Sequence, residues 1–443
     1  MSIKILIANR GEIALRIIRT VKEMGLKTVA IYSTADKYGL HVHFADEAVC
    51  IGPPDPKKSY LNIPNIISAA EITNSDAIHP GYGFLSESAY FSSMCNKHGI
   101  KFIGAQPNHM MKMANKIYAK KTMMKAGIHC IPGTNCFINS SYKDVEKIAD
   151  KIGYPIIIKS VYGGGGKGIR SVFEKNDLKI CWGEAKKESL SFFGKKDVYI
   201  EKLIIDPRHI EIQIMGDSYG NICHLSERDC SIQRRNQKLL EETPSPFITP
   251  YLRKKMGEKS IKAAEFIHYE GIGTIEFLVD KNKNFYFMEM NPRIQVEHPI
   301  TEETVGIDLV QEQISIAYGK KLSKKNYYPK MCSIECRINA EDPSNNFRPS
   351  PGKITQLHFP GGKGVRIDTH IYSGYYISHY YDSMIAKLIS TEKNREKAIK
   401  KMHRCLDEFV IEGIHTSIQF QKNLIQNNDF MKGDYNTNFI KKI

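Results

Sequence analysis

No stretch of this 443-residue chain approaches the ~18 consecutive apolar residues of a membrane span. The segment Met1–Asn9 has a short apolar run and then a charged helical pattern. It lacks the longer apolar core and small-residue cleavage site of a secretory leader, so a cytoplasmic protein is expected. None of the 10 cysteines forms a Cys-x-x-Cys pair, and the closest two, Cys332 and Cys336, are not spaced as zinc ligands; reduced, buried thiols are expected. Helix-turn-helix, zinc-finger and aromatic RNA-binding signatures are also missing. The net charge of +15 is spread over scattered pairs such as Lys120-Lys121 and Lys320-Lys321, with acids interleaved. It therefore reads as solvated surface and not as a nucleic-acid face. There is no internal repeat and no low-complexity tract.

What is present is the balance of a soluble enzyme, 42% hydrophobic and 25% charged. The length implies two to four domains. Ile3–Ala8 reads as a buried strand and Glu12–Met24 as a helix with Ile13, Ile17, Val21 and Met24 on one face; Thr28–Tyr32 is a second strand. This opening predicts a parallel sheet. Ala77–His79 and Lys101–Gly104 read as further strands, flanked by helical Ile66–Glu71 and Ala89–Lys97. A helical pattern covers Asn108–Ala126 and another Tyr142–Ile152. Strands are predicted at Pro155–Lys159, Ile169–Phe173, Val198–Leu203, His209–Met215 and Asn221–Glu227, and a helix over Pro250–Ile267. Thr274–Asp280 and Phe285–Met290 form a hairpin, and Leu309–Tyr318 a helix. Strands near Glu335–Asn339, Lys353–His358 and Gly364–Ile371 precede two terminal helices.

Gly163–Gly168 matches G-x-G-x-x-G, yet Ile169–Phe173 after it reads as a strand and not as the helix a dinucleotide or Walker loop requires. Lys167 is followed by Gly168 instead of Ser or Thr. The loop is therefore a flap between strands, rich in unobstructed backbone N–H groups able to close over a polyphosphate. No His-Arg-Asp or Asp-Phe-Gly motif follows, which excludes a protein kinase.

In the hairpin, a turn at 281–284 pairs Asp280 with Phe285 and sets Glu276 opposite Glu289. Like charges across a strand pair are destabilising unless a cation lies between them. Asn291, two residues on, shares their face. Two carboxylates and an amide oxygen suit Mg²⁺, which takes few protein ligands.

Several long motifs carry a resemblance to a known family. They are Ile7-Ala8-Asn9-Arg10-Gly11-Glu12-Ile13-Ala14, His79-Pro80-Gly81-Tyr82-Gly83-Phe84-Leu85-Ser86-Glu87, and Lys159 with the glycine flap. Glu201-Lys202-Leu203, His209, Asn291-Pro292-Arg293-Ile294-Gln295-Val296-Glu297-His298-Pro299 and Glu335-Cys336-Arg337-Ile338-Asn339-Ala340-Glu341 continue it. Together they resemble the biotin carboxylases of the ATP-grasp superfamily from end to end. The fold so implied is α/β (α+β). It comprises a Rossmann-like N-terminal domain (1–114), an ATP-grasp domain (115–330) with a mobile glycine-rich lid (about 131–203), and a C-terminal biotin carboxylase domain (331–443).

The activity implied is phosphorylation of bicarbonate by ATP to carboxyphosphate, and carboxylation of biotin N1′. This is the first half-reaction of acetyl-CoA carboxylase, leading to malonyl-CoA and fatty acids. By the same resemblance, Lys116, Lys159 and Gly163, Gly164, Gly165 and Gly166 take the ATP phosphates. Glu201, Lys202 and Leu203 lie at the adenine hinge, and His209, Gln233, Asn236 and Leu278 complete the nucleotide site. Glu276, Glu289 and Asn291 hold Mg²⁺ (or Mn²⁺). Lys238, Arg293, Gln295 and Val296 hold bicarbonate, Glu297 is the general base, and Arg337 stabilises the biotin enolate beside a wall of Tyr82 and Gly83. Lysine and arginine placed where negative charge develops suit that chemistry. Pairing with Arg293 is expected to set the acidity of Glu297.

Three positions depart from the family pattern: Asn236 where His is common, Tyr162 where a small residue is common, and Asn115 where an acid is common. Met111-Lys112-Met113 resembles a biotin attachment site but sits in a helical pattern and is rejected as one. No carrier or carboxyltransferase region is expected in this chain. A separate biotin carboxyl carrier protein, carboxyltransferase subunits and a homodimer are the partners implied.

Overall fold

The structure is a computed structural model that describes residues 2–134, 142–162, 168–323 and 325–442. The predicted glycine flap, with Gly163, Gly164, Gly165 and Gly166, lies outside the described residues.

The first region is a parallel sheet of five strands. Its order is Glu47–Gly52, Lys27–Ser33, Lys4–Ile7, Ala77–His79 and Lys101–Phe102. Strands buried on both faces read as unbroken apolar runs, which is why Ile5, Leu6 and Ile7 are all inaccessible to solvent. The helix Gly11–Glu23 packs Ile13, Ile17 and Val21 onto this sheet.

The single helix predicted over 108–126 is two helices, Pro107–Ala114 and Lys116–Lys125. They break at Asn115, whose extended backbone leaves its side chain to accept a hydrogen bond from Tyr118 N at 3.0 Å. Asn favours this cap over the helix interior. The Met111-Lys112-Met113 decoy lies inside the first of these helices.

An eight-stranded antiparallel sheet carries the rest of the molecule. It begins with the predicted hairpin, Phe285–Asn291 on Gly271–Val279, and continues through Arg208–Gly216, Ile222–Arg234 and Gln237–Thr243. Cys332–Asn339 pairs with Gln237–Thr243, so the sheet runs on without a break to Met384–Glu392 and Val365–Thr369. The strand expected over 353–358 is two short ones, Gly352–Lys353 and Gln356–His358, paired to different partners. A separate sheet of Ile169–Val172, Ile156–Ser160 and Val198–Lys202 is backed by the helices Tyr142–Ile152 and Leu178–Phe193. It has its own core around Val145, Ile158 and Trp182. No helix among the described residues is long and apolar enough to cross a membrane.

The hairpin register differs from the predicted one and reaches the same acid pair. Val279, not Asp280, faces Phe285, because Asp280 N bonds Asn284 O and closes the turn one residue earlier. A bulge between the Glu276 and Phe277 pairings restores the offset, and Glu276 faces Glu289.

Candidate active site

The large sheet, the separate three-stranded sheet and the parallel domain together line a cleft of about 1360 Å³. Its lining includes Tyr82, Gly83, Lys116, Lys159, Lys202, Leu203, His209, Gln233, Asn236, Lys238, Glu276, Leu278, Glu289, Asn291, Arg293, Gln295, Val296, Glu297 and Arg337. Among the described members of the predicted set, only Glu201 is not part of the lining. Its carboxylate is buried behind the wall, held by Lys120 at 2.8 Å and Lys159 at 2.9 Å. As a side chain it anchors Lys159.

Strand register aligns the acids. Glu211, Glu276 and Glu289 face one another across three adjacent strands. Each has a cation beside it, as closely spaced carboxylates require. Lys116 lies 2.8 Å from Glu289. Lys238 reaches Glu211 at 2.6 Å, Glu276 at 3.2 Å and Glu297 at 2.5 Å. Behind Glu211, Arg228 is fully buried and also bonds Gln213, Thr301 and Thr274. Burial opposes ionisation of Glu276, but Lys238 and His209 outweigh it and hold its carboxyl far below the usual range. His209 donates from Nε2 to the Glu276 carboxylate (2.8 Å) and accepts from the Gln233 amide at Nδ1 (2.6 Å). Burial pulls its pKa down and Glu276 pulls it up, with a net rise.

Glu297 precedes the helix His298–Val305. Its expected partner is corrected by the structure: the carboxylate pairs with Lys238 and with Arg337 at 2.8 Å, while Arg293 contacts Gln295 at 2.7 Å and Glu87 at 3.3 Å. Strand geometry explains this. Lys238 and Arg337 stand on paired strands and reach the same carboxylate, whereas Arg293 lies in the turn after the hairpin and, while also lining the cleft, directs its guanidinium to Gln295 and Glu87. Against burial, Lys238, Arg337 and Arg228 hold the Glu297 carboxyl well below its ordinary range. Arg337 also grips Glu241 at 2.5 Å.

The donor set of Glu276 and Glu289 consists of hard oxygens and fits a divalent cation such as Mg²⁺. Asn291 here gives its amide nitrogen to Glu276 at 2.9 Å, so it clamps that acid. Arg235 and Asn236 both have positive φ, 51° and 62°, in the two-residue turn between Arg234 and Gln237. Asn enters the left-handed region more readily than most residues, which gives the Asn236 departure a backbone reason. Tyr162 has Lys195 over its ring at 4.3 Å.

Sequence reasoning missed Glu211, Arg228, Glu241, Glu12 and Lys387. The signal for the first was the alternation His209-Ile210-Glu211-Ile212-Gln213, polar groups on one face of a strand that lies inside a sheet. Glu12 stood inside the motif Ile7–Ala14 without a role, and nothing local marked the other three.

A cleft in which acids and cations are brought together by sheet register, with a hard-oxygen acid pair at one point, is suited to binding anions and a divalent cation. Three family models match in order: the biotin carboxylase N-terminal domain over residues 1–110, the carbamoyl-phosphate synthase L chain ATP-binding domain over 115–325, and the biotin carboxylase C-terminal domain over 335–442. A biotin carboxylase from Nostoc sp. is 53% identical over 442 residues, 99% of each chain. The solved Campylobacter jejuni biotin carboxylase in complex with β-γ-ATP superposes with a TM-score of 0.97 at 49% identity, covering 100% of this chain and 99% of that one. The biotin carboxylase domain dimer of Hydrogenobacter thermophilus 2-oxoglutarate carboxylase, solved with MgADP, ADP and bicarbonate, gives 0.96 at 44% identity, covering 100% and 98%. The chain belongs to the biotin carboxylase family.

Proposed function

We propose that this protein carboxylates biotin on a separate carrier protein, using ATP and bicarbonate through carboxyphosphate, as the first half-reaction of acetyl-CoA carboxylase leading to malonyl-CoA and fatty acids. The observation that carries this reading is the continuous chain Glu276–Lys238–Glu297–Arg337. It joins a metal-suited acid pair to a buried carboxylate and then to an arginine facing the opposite wall.

In this reading Glu276 and Glu289, with Asn291 beside them, hold Mg²⁺ (or Mn²⁺), which when bound shields phosphate charge. Lys116 and Lys159 take the phosphates, under a lid of residues about 131–203 that carries the glycine flap. Lys202, Leu203, His209, Gln233, Asn236 and Leu278 surround the nucleoside. Lys238, Arg293, Gln295 and Val296 receive bicarbonate. Glu297 is a weak base while two cations sit on it. When Lys238 turns to bicarbonate and Arg337 to the ureido oxygen of biotin, it loses both and becomes basic enough to take the bicarbonate proton. Tyr82 and Gly83 form the biotin wall. The matched segments support domains at 1–114, 115–330 and 331–443.

A biotin carboxyl carrier protein and carboxyltransferase subunits are the partners, a homodimer the assembly and the cytoplasm the compartment. The test is ATP hydrolysis with bicarbonate, with and without free biotin. Bicarbonate-dependent hydrolysis stimulated by biotin is expected, and its absence in folded protein rejects the reading. Reconstitution with carrier and carboxyltransferase should form malonyl-CoA from acetyl-CoA; exclusive carboxylation of pyruvate or 2-oxoglutarate would reject the assignment to fatty acid synthesis.

A further inference from the structure

Behind Glu297 lies a row of charges that the nucleotide and bicarbonate sites do not use. Arg337, Lys387 and Asp368 are in register across three adjacent strands and stand side by side on one face. Arg337 directly opposite Lys387 is a like-charge pair, unfavourable unless each cation has its own anion. Arg337 has Glu241 and Glu297. Lys387 is fully buried, and its ammonium binds three different parts of the chain. It donates to the carbonyl of Val296 at 3.0 Å, pairs with Glu12 at 3.1 Å and lies 3.7 Å from Asp368. Glu12, itself buried, opens the helix Gly11–Glu23 of the parallel domain and accepts a hydrogen bond from the hydroxyl of Tyr82.

Desolvating a lysine is costly, and an apolar residue would fill this space at lower cost. What the ammonium achieves and an apolar residue would not is a rigid junction. One face holds Glu12, and through it the Tyr82 ring. The other holds the peptide carbonyl immediately before Glu297. These groups come from the parallel domain and from the turn after the acidic hairpin, and within this network only Lys387 bridges them.

We propose that Lys387 is a positioning residue that sets the spacing between the biotin-facing Tyr82 and the base Glu297. The inference rests on the roles given above to those two residues. Lys387 touches neither nucleotide nor biotin. Its ammonium fixes the two walls between which carboxyl transfer takes place. A misplacement of about 1 Å in such a site costs about 100-fold in rate.

The experiment compares three variants with the parent protein, using free biotin, ATP and bicarbonate. Lys387→Met keeps the length of the side chain and removes its charge. Its kcat for biotin carboxylation should fall about 10- to 100-fold, its ATP use per carboxylated biotin should rise, and its nucleotide affinity should be unchanged. Glu12→Gln is the second probe should Lys387→Met not fold, and should raise the KM for biotin with a smaller fall in kcat. Arg395→Met removes a different partly buried ion pair, to Glu242, neither residue of which lines the cleft; it should lower the melting temperature and leave kcat and the KM for biotin unchanged. Folded Lys387→Met or Glu12→Gln protein with parental kcat, KM and coupling overturns the proposal. A fall in Arg395→Met matching that in Lys387→Met overturns it too, since general destabilisation would then be the cause. Absence of carboxylation in the parent protein refutes the underlying functional reading instead.

Discussion

Glu297→Gln separates the chemistry of the site from its stability. The carboxylate is 1% exposed and accepts from Lys238 at 2.5 Å and Arg337 at 2.8 Å. Neutralising it orphans neither cation, because Lys238 keeps Glu211 and Glu276 and Arg337 keeps Glu241. The several-kcal/mol penalty of an unpaired buried charge therefore does not arise. The stability cost should be that of weakened charged hydrogen bonds, about 1–3 kcal/mol. The rate effect should be larger: a positioned general base contributes about 10²- to 10⁴-fold, or about 3–5 kcal/mol of barrier. Lys116, Lys159 and His209 are untouched, so nucleotide binding should persist. Calorimetric titration with MgADP, bicarbonate-dependent phosphate release and thermal unfolding, run on the same preparation, read the three quantities. Turnover within about ten-fold of the parent, or loss of nucleotide binding, refutes the base assignment.

Arg228→Met should cost about 3–5 kcal/mol in urea unfolding, because it breaks a buried pair and strands Gln213, Thr274 and Thr301; an unchanged midpoint would show that the pair contributes little. Glu241 gives a pH signature. Burial pushes its carboxyl up, Arg337 opposes and Glu297 adds, to about 7 from an ordinary 4.5. A carboxyl raised on folding contributes stability below the unfolded value and loses it as pH rises through the folded one. The stability of the parent relative to Glu241→Gln should thus fall between about pH 4.5 and about pH 7, by as much as about 3 kcal/mol; a pH-independent difference refutes the shift. Asn115→Ala removes a helix cap and should cost about 1 kcal/mol and weaken nucleotide binding through Lys116, the first residue of that helix; parental affinity and stability together would rule this out.

The acid pair could be read from sequence because hairpin counting is local and the bulge happened to cancel a turn closed one residue early. The parallel opening was legible for a similar reason, since strand, helix and strand follow one another with clear apolar runs. Glu211 and Arg228 were hidden because their roles depend on which strands lie beside Arg208–Gly216, and sheet order is not a local property. The strand Gln237–Thr243 went unread for the same reason. By residue pattern alone its Lys238, Glu241 and Glu242 look like a solvated stretch until their partners are known: Glu297 before a helix, Arg337 on the paired strand and Arg395 at the start of another helix. Lys387 sits in a strand that also escaped detection, and its partners Glu12 and Val296 are distant in the chain.

The cleft is neutralised internally as it stands, and that constrains how it can work. Each cation that would bind an anion is already on a carboxylate: Lys116 on Glu289, Lys159 on Glu201, and Lys238 on Glu211, Glu276 and Glu297. Drawing a lysine away without giving its carboxylate a new positive partner leaves a buried charge unpaired, at a cost of about 3–5 kcal/mol. Lys116 and Lys238 are therefore released to anions at low cost only when Glu289 and Glu276 acquire another cation. A free polyphosphate cannot satisfy that condition and a metal-bound one can. In the proposed reading the same exchange frees Glu297 of Lys238 as bicarbonate arrives, so the base strengthens only in the occupied site. In the proposed reading, partner exchange among pre-paired groups thus ties nucleotide binding, anion binding and basicity together: Glu211 keeps Arg228 and Glu276 keeps His209, while Glu297 gives up both of its cations and gains basicity by that loss.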